Sequence, residues 1–125
     1  MLKSALLMTA GIAIGFGANA VLAQSNAPYY QVAEINVKDQ AGYEASGVDK
    51  VREAMKAGGG KIIAGGYNKA KSLLGAPPAN RYLIIQYPSK DAADKHWADS
   101  VQKWWDSEGH KYGDFRAIAV EAAGQ

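Results

Sequence analysis

The stretch Arg81–Pro88, Arg-Tyr-Leu-Ile-Ile-Gln-Tyr-Pro, decides the fold of this chain. It is rich in β-branched and aromatic residues and ends at a proline, which cannot donate a hydrogen bond to a neighbouring strand. Its apolar residues fall on both alternating faces, so we predict a central strand that must be covered on both sides. One face would carry Tyr82, Ile84 and Gln86, and the other Leu83, Ile85 and Tyr87.

Patterns on either side of this strand predict three further strands and two helices. Alternating apolar residues favour strands over 29–37, 61–67 and 115–121, with Lys71–Leu74 as a candidate extension of the second. An amphipathic helix is predicted over 40–57, capped by Asp39 and ended by three glycines. Its apolar stripe would consist of residues at spacings of three and four: Tyr43, Gly47, Val51, Ala54 and Met55. Ser89 is placed to cap a second helix, whose apolar side would include Ala93, Trp97, Ser100, Val101 and Trp104.

The order β-α-β-β-α-β predicts an α+β, ferredoxin-like fold: a four-stranded antiparallel sheet with both helices on one face. The helix-free face would present Val32 and Ile84 beside the polar Glu34 and Gln86. A face this apolar is unfavourable in water. We therefore predict a homodimer in which two such faces cover each other.

The first 23 residues have the features of a secretory signal peptide. An early cation, Lys3, precedes an apolar stretch, and Val21-Leu22-Ala23 offers the small residues that a signal peptidase reads. The alternatives are an uncleaved membrane anchor and a core helix, but the apolar stretch is shorter than the ~20 residues of a spanning helix. We predict cleavage after Ala23, with Ala20 as a second site, and a single mature domain over 24–125. The localisation would then be periplasmic or secreted, with no stable membrane insertion after cleavage.

Composition narrows the classes of function. Of 125 residues, 14 are basic and 12 acidic, and removal of the first 23 takes away one lysine, which leaves 13 against 12 and a net charge of +1. The charges of both signs are interleaved, which argues against a nucleic-acid partner. The chain has no cysteine, so disulfides, thiolate metal sites and a cysteine nucleophile are excluded.

Several short motifs, in order, resemble the domain-of-unknown-function 1330 family of the dimeric α+β barrel superfamily. They are Tyr30 followed by Val37-x-Asp39-x-x-x-Tyr43, Gly59-Gly60 and Gly65-Gly66, Leu74-Gly75, Tyr87-Pro88-Ser89, and Trp97-x-x-Ser100. The resemblance covers nearly all of 29–122. It implies a homodimeric barrel with a cleft between sheet and helices in each subunit. Gln86 stands where the family usually has a glutamate.

Glu34 and Gln86 are the first candidate pair for chemistry, because the first and third strands are neighbours in this topology and both residues share the helix-free face. A carboxylate in a largely apolar barrel can act as a general base. The simpler interpretation, which we favour, is that Glu34 forms an ion pair across the dimer with Arg81 or Arg116.

The two histidines are the other candidates. His96 lies at the edge of the helical stripe, and His110 lies in a polar loop near Trp104 and Trp105. Related barrels include haem-degrading and cofactor-independent oxygenases that use a His, Trp or Asn in such a cleft. We favour a solvated His96 and an ordinary loop His110, because their spacing matches no metal site. We predict no metal and no cofactor.

Two functions of different class follow. The first is an exported homodimer that binds a small apolar or aromatic ligand in a cleft, with Tyr82, Gln86, Trp97 and Trp104 as contacts and Tyr87 beside them. The second is a small cofactor-independent or haem-linked oxygenase or isomerase of the same superfamily. Its base would be Glu34 or His110, and fold analogy is its only support.

Overall fold

The computed structural model describes residues 27–124, which form one sheet and one layer of helices. The strands are β1 (Tyr29–Val37), β2 (Lys61–Tyr67), β3 (Arg81–Tyr87) and β4 (Gly113–Glu121). The helices are α1 (Gln40–Ala45), α2 (Val48–Ala57), α3 (Lys90–His96) and α4 (Gln102–Ser107). The predicted signal peptide lies outside the described residues.

The sheet is antiparallel throughout, in the order β2-β3-β1-β4. This confirms the predicted α+β, ferredoxin-like fold and the pairing of the first and third strands. Ala33, Ile35 and Val37 of β1 are buried, whereas Asn36 between them is exposed. The helices therefore cover the face that alternation predicted. No helix among residues 27–124 has the length and apolar character needed to cross a bilayer.

The first helical region differs from the prediction, because the single helix expected over 40–57 is two helices. Asp39 caps α1 as predicted, accepting a hydrogen bond from the Gly42 N–H at 3.0 Å. The chain then breaks at Gly47, whose φ of 93° is left-handed and cannot continue a right-handed helix. A glycine that looked like part of an apolar stripe is thus the boundary between α1 and α2.

The second helical region begins at Ser89, whose hydroxyl accepts a hydrogen bond from the Ala92 N–H at 3.1 Å. Between α3 and α4 the chain forms a five-residue π-helical turn, Trp97–Val101. Such a turn accommodates one residue more than an α-helical turn and occurs often at functional sites. A short 3₁₀ turn, Gly109–Lys111, then leads into β4.

Strand β2 has a bulge at Ile63 and a close backbone approach at Gly65. A β-carbon at Gly65 would lie 1.8 Å from the carbonyl oxygen of Tyr82, and its φ is +103°, so only glycine fits. The predicted strand extension at Lys71–Leu74 does not form. It belongs to a long loop, 68–80, whose two ends are joined by a 2.7 Å hydrogen bond from the Asn68 N–H to the Asn80 carbonyl.

Candidate functional site

A cavity of about 60 Å³ lies between the helices and the covered face of the sheet. Its apolar wall comes from both layers, so it is a cleft between the sheet and the helices. The apolar lining includes Ala33, Met55, Leu83, Trp97, Val101 and Trp104. The polar lining includes Gln31, Tyr43, Arg52, Arg81, Tyr87 and His96.

Arg81 is part of this lining and is only 7% exposed. Alternation along β3 places it on the covered face with Leu83. Its Nε is buried without a hydrogen-bond partner. The guanidinium carbon lies 4.8 Å from the ring centre of Tyr67 and 5.9 Å from that of Tyr43, at distances typical of cation–π contacts.

The carboxylate of Glu44 lies beside Arg81 and is surrounded by hydrogen-bond donors. Arg52 donates two hydrogen bonds to this carboxylate, at 3.1 and 3.3 Å, and the Tyr67 hydroxyl donates a third at 2.6 Å. The hydrogen bond from Arg52 is the main cause of a lowered pKa for Glu44, to which the Tyr67 hydroxyl and the charge of Arg81 also contribute. Glu44 is therefore ionised and already engaged.

His96 and Tyr87 form a second polar group on the cavity wall. His96 Nε2 lies 2.9 Å from the Val51 carbonyl oxygen, and Nδ1 lies 2.7 Å from the Tyr87 hydroxyl. A carbonyl can only accept, so Nε2 carries the proton and Nδ1 accepts from Tyr87. Burial lowers the pKa of His96 and raises that of Tyr87 to about 12. Both groups are thus neutral at physiological pH.

His96 corrects the sequence-based interpretation of a solvated side chain. It is only 7% exposed and fixes α3 to α2 through the Val51 carbonyl. Four other polar residues of the wall were not predicted as site residues: Gln31, Tyr43, Arg52 and Arg81. A signal for Arg81 was present, because its parity in β3 matches that of Leu83 and Tyr87.

The predicted ligand contacts divide between two faces of the sheet. Trp97, Trp104 and Tyr87 line the cavity, as one cleft would require. Tyr82 and Gln86 have the opposite parity in β3 and lie on the helix-free face, where Tyr82 pairs in register with Glu34. Within one subunit, the five residues therefore cannot line a single cleft.

Glu34 and Gln86 do share a face, but they do not meet. In the register of β1 with β3, Glu34 is opposite Tyr82, whereas Gln86 is opposite Tyr30, four residues along β1. Four residues of antiparallel strand span roughly 14 Å. The two side chains thus do not form a joint acid–base site.

The ion pair of Glu34 lies within the chain. Its Oε2 is 2.9 Å from a guanidinium nitrogen of Arg116, the residue directly opposite it on β4. Of the two predicted partners, Arg116 is therefore the one observed, and it belongs to the same chain instead of a dimer mate. Arg81 lies on the other face of the sheet and cannot take this role.

His110 lies in the 3₁₀ turn and is exposed, as the loop interpretation predicted. Its Nδ1 is 2.8 Å from the Trp105 carbonyl, and its ring packs edge-on to Trp105 at 6.3 Å. It does not contribute to the cavity lining. Within residues 27–124, no group of three or more His, Asp or Glu side chains is arranged to hold a metal ion.

A second concave surface lies on the helix-free face, under the 68–80 loop. It is an open groove of about 600 Å³ that includes Glu34, Tyr82, Ile84 and Leu74. Leu73 and Leu74 at the tip of the loop are 89% and 98% exposed. Exposure this high is unusual for two adjacent leucines and marks the loop as an apolar arm.

A family model, Domain of unknown function (DUF1330), matches residues 28–123. The chain belongs to the DUF1330 family. This confirms the resemblance proposed from the sequence motifs. A comparison with curated proteins gives no match.

Solved structures similar to this DUF1330 chain support the fold. A protein of unknown function from Rhodopseudomonas palustris is 16% identical, with a TM-score of 0.60, and the match covers 86% of this chain and 92% of that one. A candidate antibiotic biosynthesis monooxygenase from Caulobacter crescentus is 17% identical, with a TM-score of 0.53, covering 85% and 99%. At these identities the likeness extends to the fold alone.

Proposed function

We propose that this DUF1330 protein is an exported homodimer that binds a small apolar ligand in the cavity between its helices and its sheet. The observation that carries the proposal is the cavity itself. Well-packed interiors contain few voids larger than a water molecule. A cavity of about 60 Å³ with a mainly apolar wall is thus a candidate binding site for a small ligand.

The volume limits the size of that guest. An engineered apolar cavity of about 150 Å³ binds benzene. The cavity here has less than half of this volume, which limits the guest to a few non-hydrogen atoms. Trp97 and Trp104 line the cavity, so their fluorescence is a direct probe of occupancy.

Titration of the protein with 1-butanol, followed by tryptophan fluorescence, tests the proposal. We expect a saturable change that is lost in Ala33→Leu, because the larger side chain fills the cavity. The matched control is Ala57→Leu at the exposed end of α2, which should bind as the wild type does. A change that does not saturate, or that persists equally in folded Ala33→Leu, contradicts cavity binding.

The homodimer is supported by the helix-free face and the adjoining loop. Val32, Ile84, Ile118 and Val120 lie on this face, and the last two are at least 40% exposed. The leucine arm is continuous with the groove on the same side. A second copy is a suitable cover, because a twofold dimer matches an apolar face with itself. Sedimentation equilibrium at micromolar concentration should give twice the subunit mass, and a folded monomer would contradict this.

Export is supported by the pattern of residues 1–23, which precede the described domain. The mature chain should begin at Gln24 after cleavage at Ala23, or at Val21 after cleavage at Ala20. Intact mass of the protein from its native host tests this. A mass that retains Met1 would contradict the signal-peptide prediction and the periplasmic or secreted localisation with it.

The oxygenase or isomerase alternative gains no support from the placement of its candidate bases. Glu34 lies on the helix-free face, and His110 lies outside the cavity lining. The nearest histidine to the cavity, His96, has both nitrogens engaged. A Soret band after incubation with haem, lost in His110→Ala, would favour this alternative over simple ligand binding.

A further inference from the structure

Arg81 is a buried cation among the residues described here that lacks a counter-ion. Only 7% of its surface is exposed, and its Nε has no hydrogen-bond partner. None of the ion pairs among residues 27–124 includes it. A buried charge is costly unless it is paired and hydrogen-bonded. Arg81 is also one of the residues that line the cavity, so a ligand bound there would lie beside its side chain.

Nearby groups do not neutralise this charge. Glu44 is the carboxylate beside it, but Arg52 and the Tyr67 hydroxyl already occupy both of its oxygens. The two guanidinium groups of Arg52 and Arg81 thus share one carboxylate, which leaves one positive charge. The ring faces of Tyr43 and Tyr67 offset part of it, since a cation–π contact is weaker than an ion pair.

We propose that Arg81 is an anion subsite of the cavity and that the ligand is a small monocarboxylate, with its carboxylate on Arg81 and its alkyl chain along the apolar wall. This inference rests on the proposed function, because it names the chemical class of the ligand for the same cavity. A guanidinium is planar and matches a carboxylate with two parallel hydrogen bonds.

The rest of the cavity selects the remainder of the ligand. The other cation on the wall, Arg52, is already paired with Glu44, and the Gln31 amide and the Tyr87–His96 pair are neutral. A second carboxylate would therefore find no unpaired cation there, which disfavours dicarboxylates. The volume of 60 Å³ corresponds to about four to six water-sized groups, the size of a chain of two to four carbons with its carboxylate.

Calorimetric titration of the dimeric, mature protein with butyrate and with butyramide tests the inference without any substitution. The two probes have nearly the same shape and differ in charge. We expect butyrate to bind at least about tenfold more tightly, in keeping with a hydrogen-bonded charge. Equal affinity for the two would overturn the anion subsite and leave the binding of small apolar ligands intact. Failure of butyrate, butyramide and 1-butanol alike would overturn both proposals.

Variants at Arg81 identify the group responsible. Arg81→Met keeps the aliphatic stem and removes the charge, so butyrate should lose at least about tenfold in affinity while butyramide is unaffected. The matched control is Lys61→Met, which removes an exposed cation from the same sheet and should bind butyrate as the wild type does. Butyrate binding that persists in folded Arg81→Met would contradict the inference. If Arg81→Met does not fold, Arg81→Lys takes its place, because lysine keeps the charge without the planar guanidinium. The affinity of this variant for butyrate should lie between the wild-type affinities for butyrate and for butyramide.

Discussion

The two faces of the sheet are built from the same four strands, yet they meet different surroundings. The covered face carries Leu83 at 7% exposure and Tyr87 at 1%, packed against helices of the same chain. The opposite face carries Ile118 at 40% and Val120 at 43%. The apolar residues of one face are thus buried, whereas apolar residues of the other face remain exposed. The chain's own helices cover one face of the sheet, and the exposure of the other face is the basis of the proposed homodimer.

The polar residues differ between the faces as well. On the covered face, Arg81 is buried and lacks a counter-ion, whereas on the open face Arg116 is exposed and paired with Glu34. An exposed ion pair contributes little to stability. A buried unpaired cation is costly and is retained where it has a use. We therefore propose ligand binding on the covered face and assembly on the open face.

The strongest test of the comparison truncates neighbouring residues of β3. Leu83→Ala should lower the free energy of unfolding by about 2–5 kcal/mol, because it enlarges a cavity in a packed core. Ile84→Ala, one residue further along, should cost only about 1 kcal/mol in a dilute monomer. Urea unfolding at low and high protein concentration measures both. Equal losses at every concentration would remove the distinction between the faces.

A charge placed on the helix-free face should weaken the proposed dimer. Ile84→Glu should weaken dimer formation by at least about tenfold, since a carboxylate would be desolvated in an apolar interface. Sedimentation velocity over a dilution series gives the dissociation constant. Ala57→Glu, which places the same charge at an exposed helix end, should leave the dimer unchanged. If both variants associate like the wild type, the helix-free face is not the interface.

Acidic pH should act on the covered face through His96. Burial lowers the pKa of this histidine, so between pH 6.5 and its folded value the unfolded chain binds the proton first. The contribution of neutral His96 to the free energy of unfolding is therefore complete above pH 6.5 and is lost as the pH falls through the folded pKa. The slope attributable to one group is at most about 1.4 kcal/mol per pH unit.

Urea unfolding between pH 8 and pH 5 measures this slope. His96→Gln should flatten it, because the titrating group is gone. The matched control is His110→Gln, which removes an exposed histidine that does not line the cavity. A wild-type slope that survives in His96→Gln would assign the pH dependence elsewhere.

The smallest effect is expected for the ion pair of the open face. Glu34→Gln removes the charge that Arg116 faces across β1 and β4, and should cost between 0 and about 1 kcal/mol. A double-mutant cycle with Arg116→Gln isolates the pairwise energy. A coupling of several kcal/mol would show that dimer formation buries this pair.

Alternation and capping were enough to predict most of the fold. The parity of Arg81–Tyr87 fixed which residues face the helices, and Asp39 and Ser89 marked both helix starts, because these signals are local. The register between β1 and β3 could not be predicted from the sequence. Parity placed Glu34 and Gln86 on one face, but a shift of an even number of residues along β1 leaves parity unchanged. The ion pair with Arg116 depends on the same register.

The site was less predictable than the fold, because its residues look ordinary in the sequence. His96 is in a polar helix segment, and only the packing of α3 on α2 brings it to the Val51 carbonyl. The π-helical turn at Trp97–Val101 has no breaker residue that announces it. Gly47 did carry a signal, since glycine is a common helix boundary, but its spacing also suited the apolar stripe.

The irregular backbone of β2 has a consequence for solubility. This strand is at one margin of the sheet, where free N–H and C=O groups can recruit strands from other molecules. The bulge at Ile63 and the left-handed Gly65 interrupt that row of groups, so an incoming strand finds no regular template. We therefore expect the same glycine that lets β2 approach Tyr82 so closely to disfavour edge-to-edge aggregation.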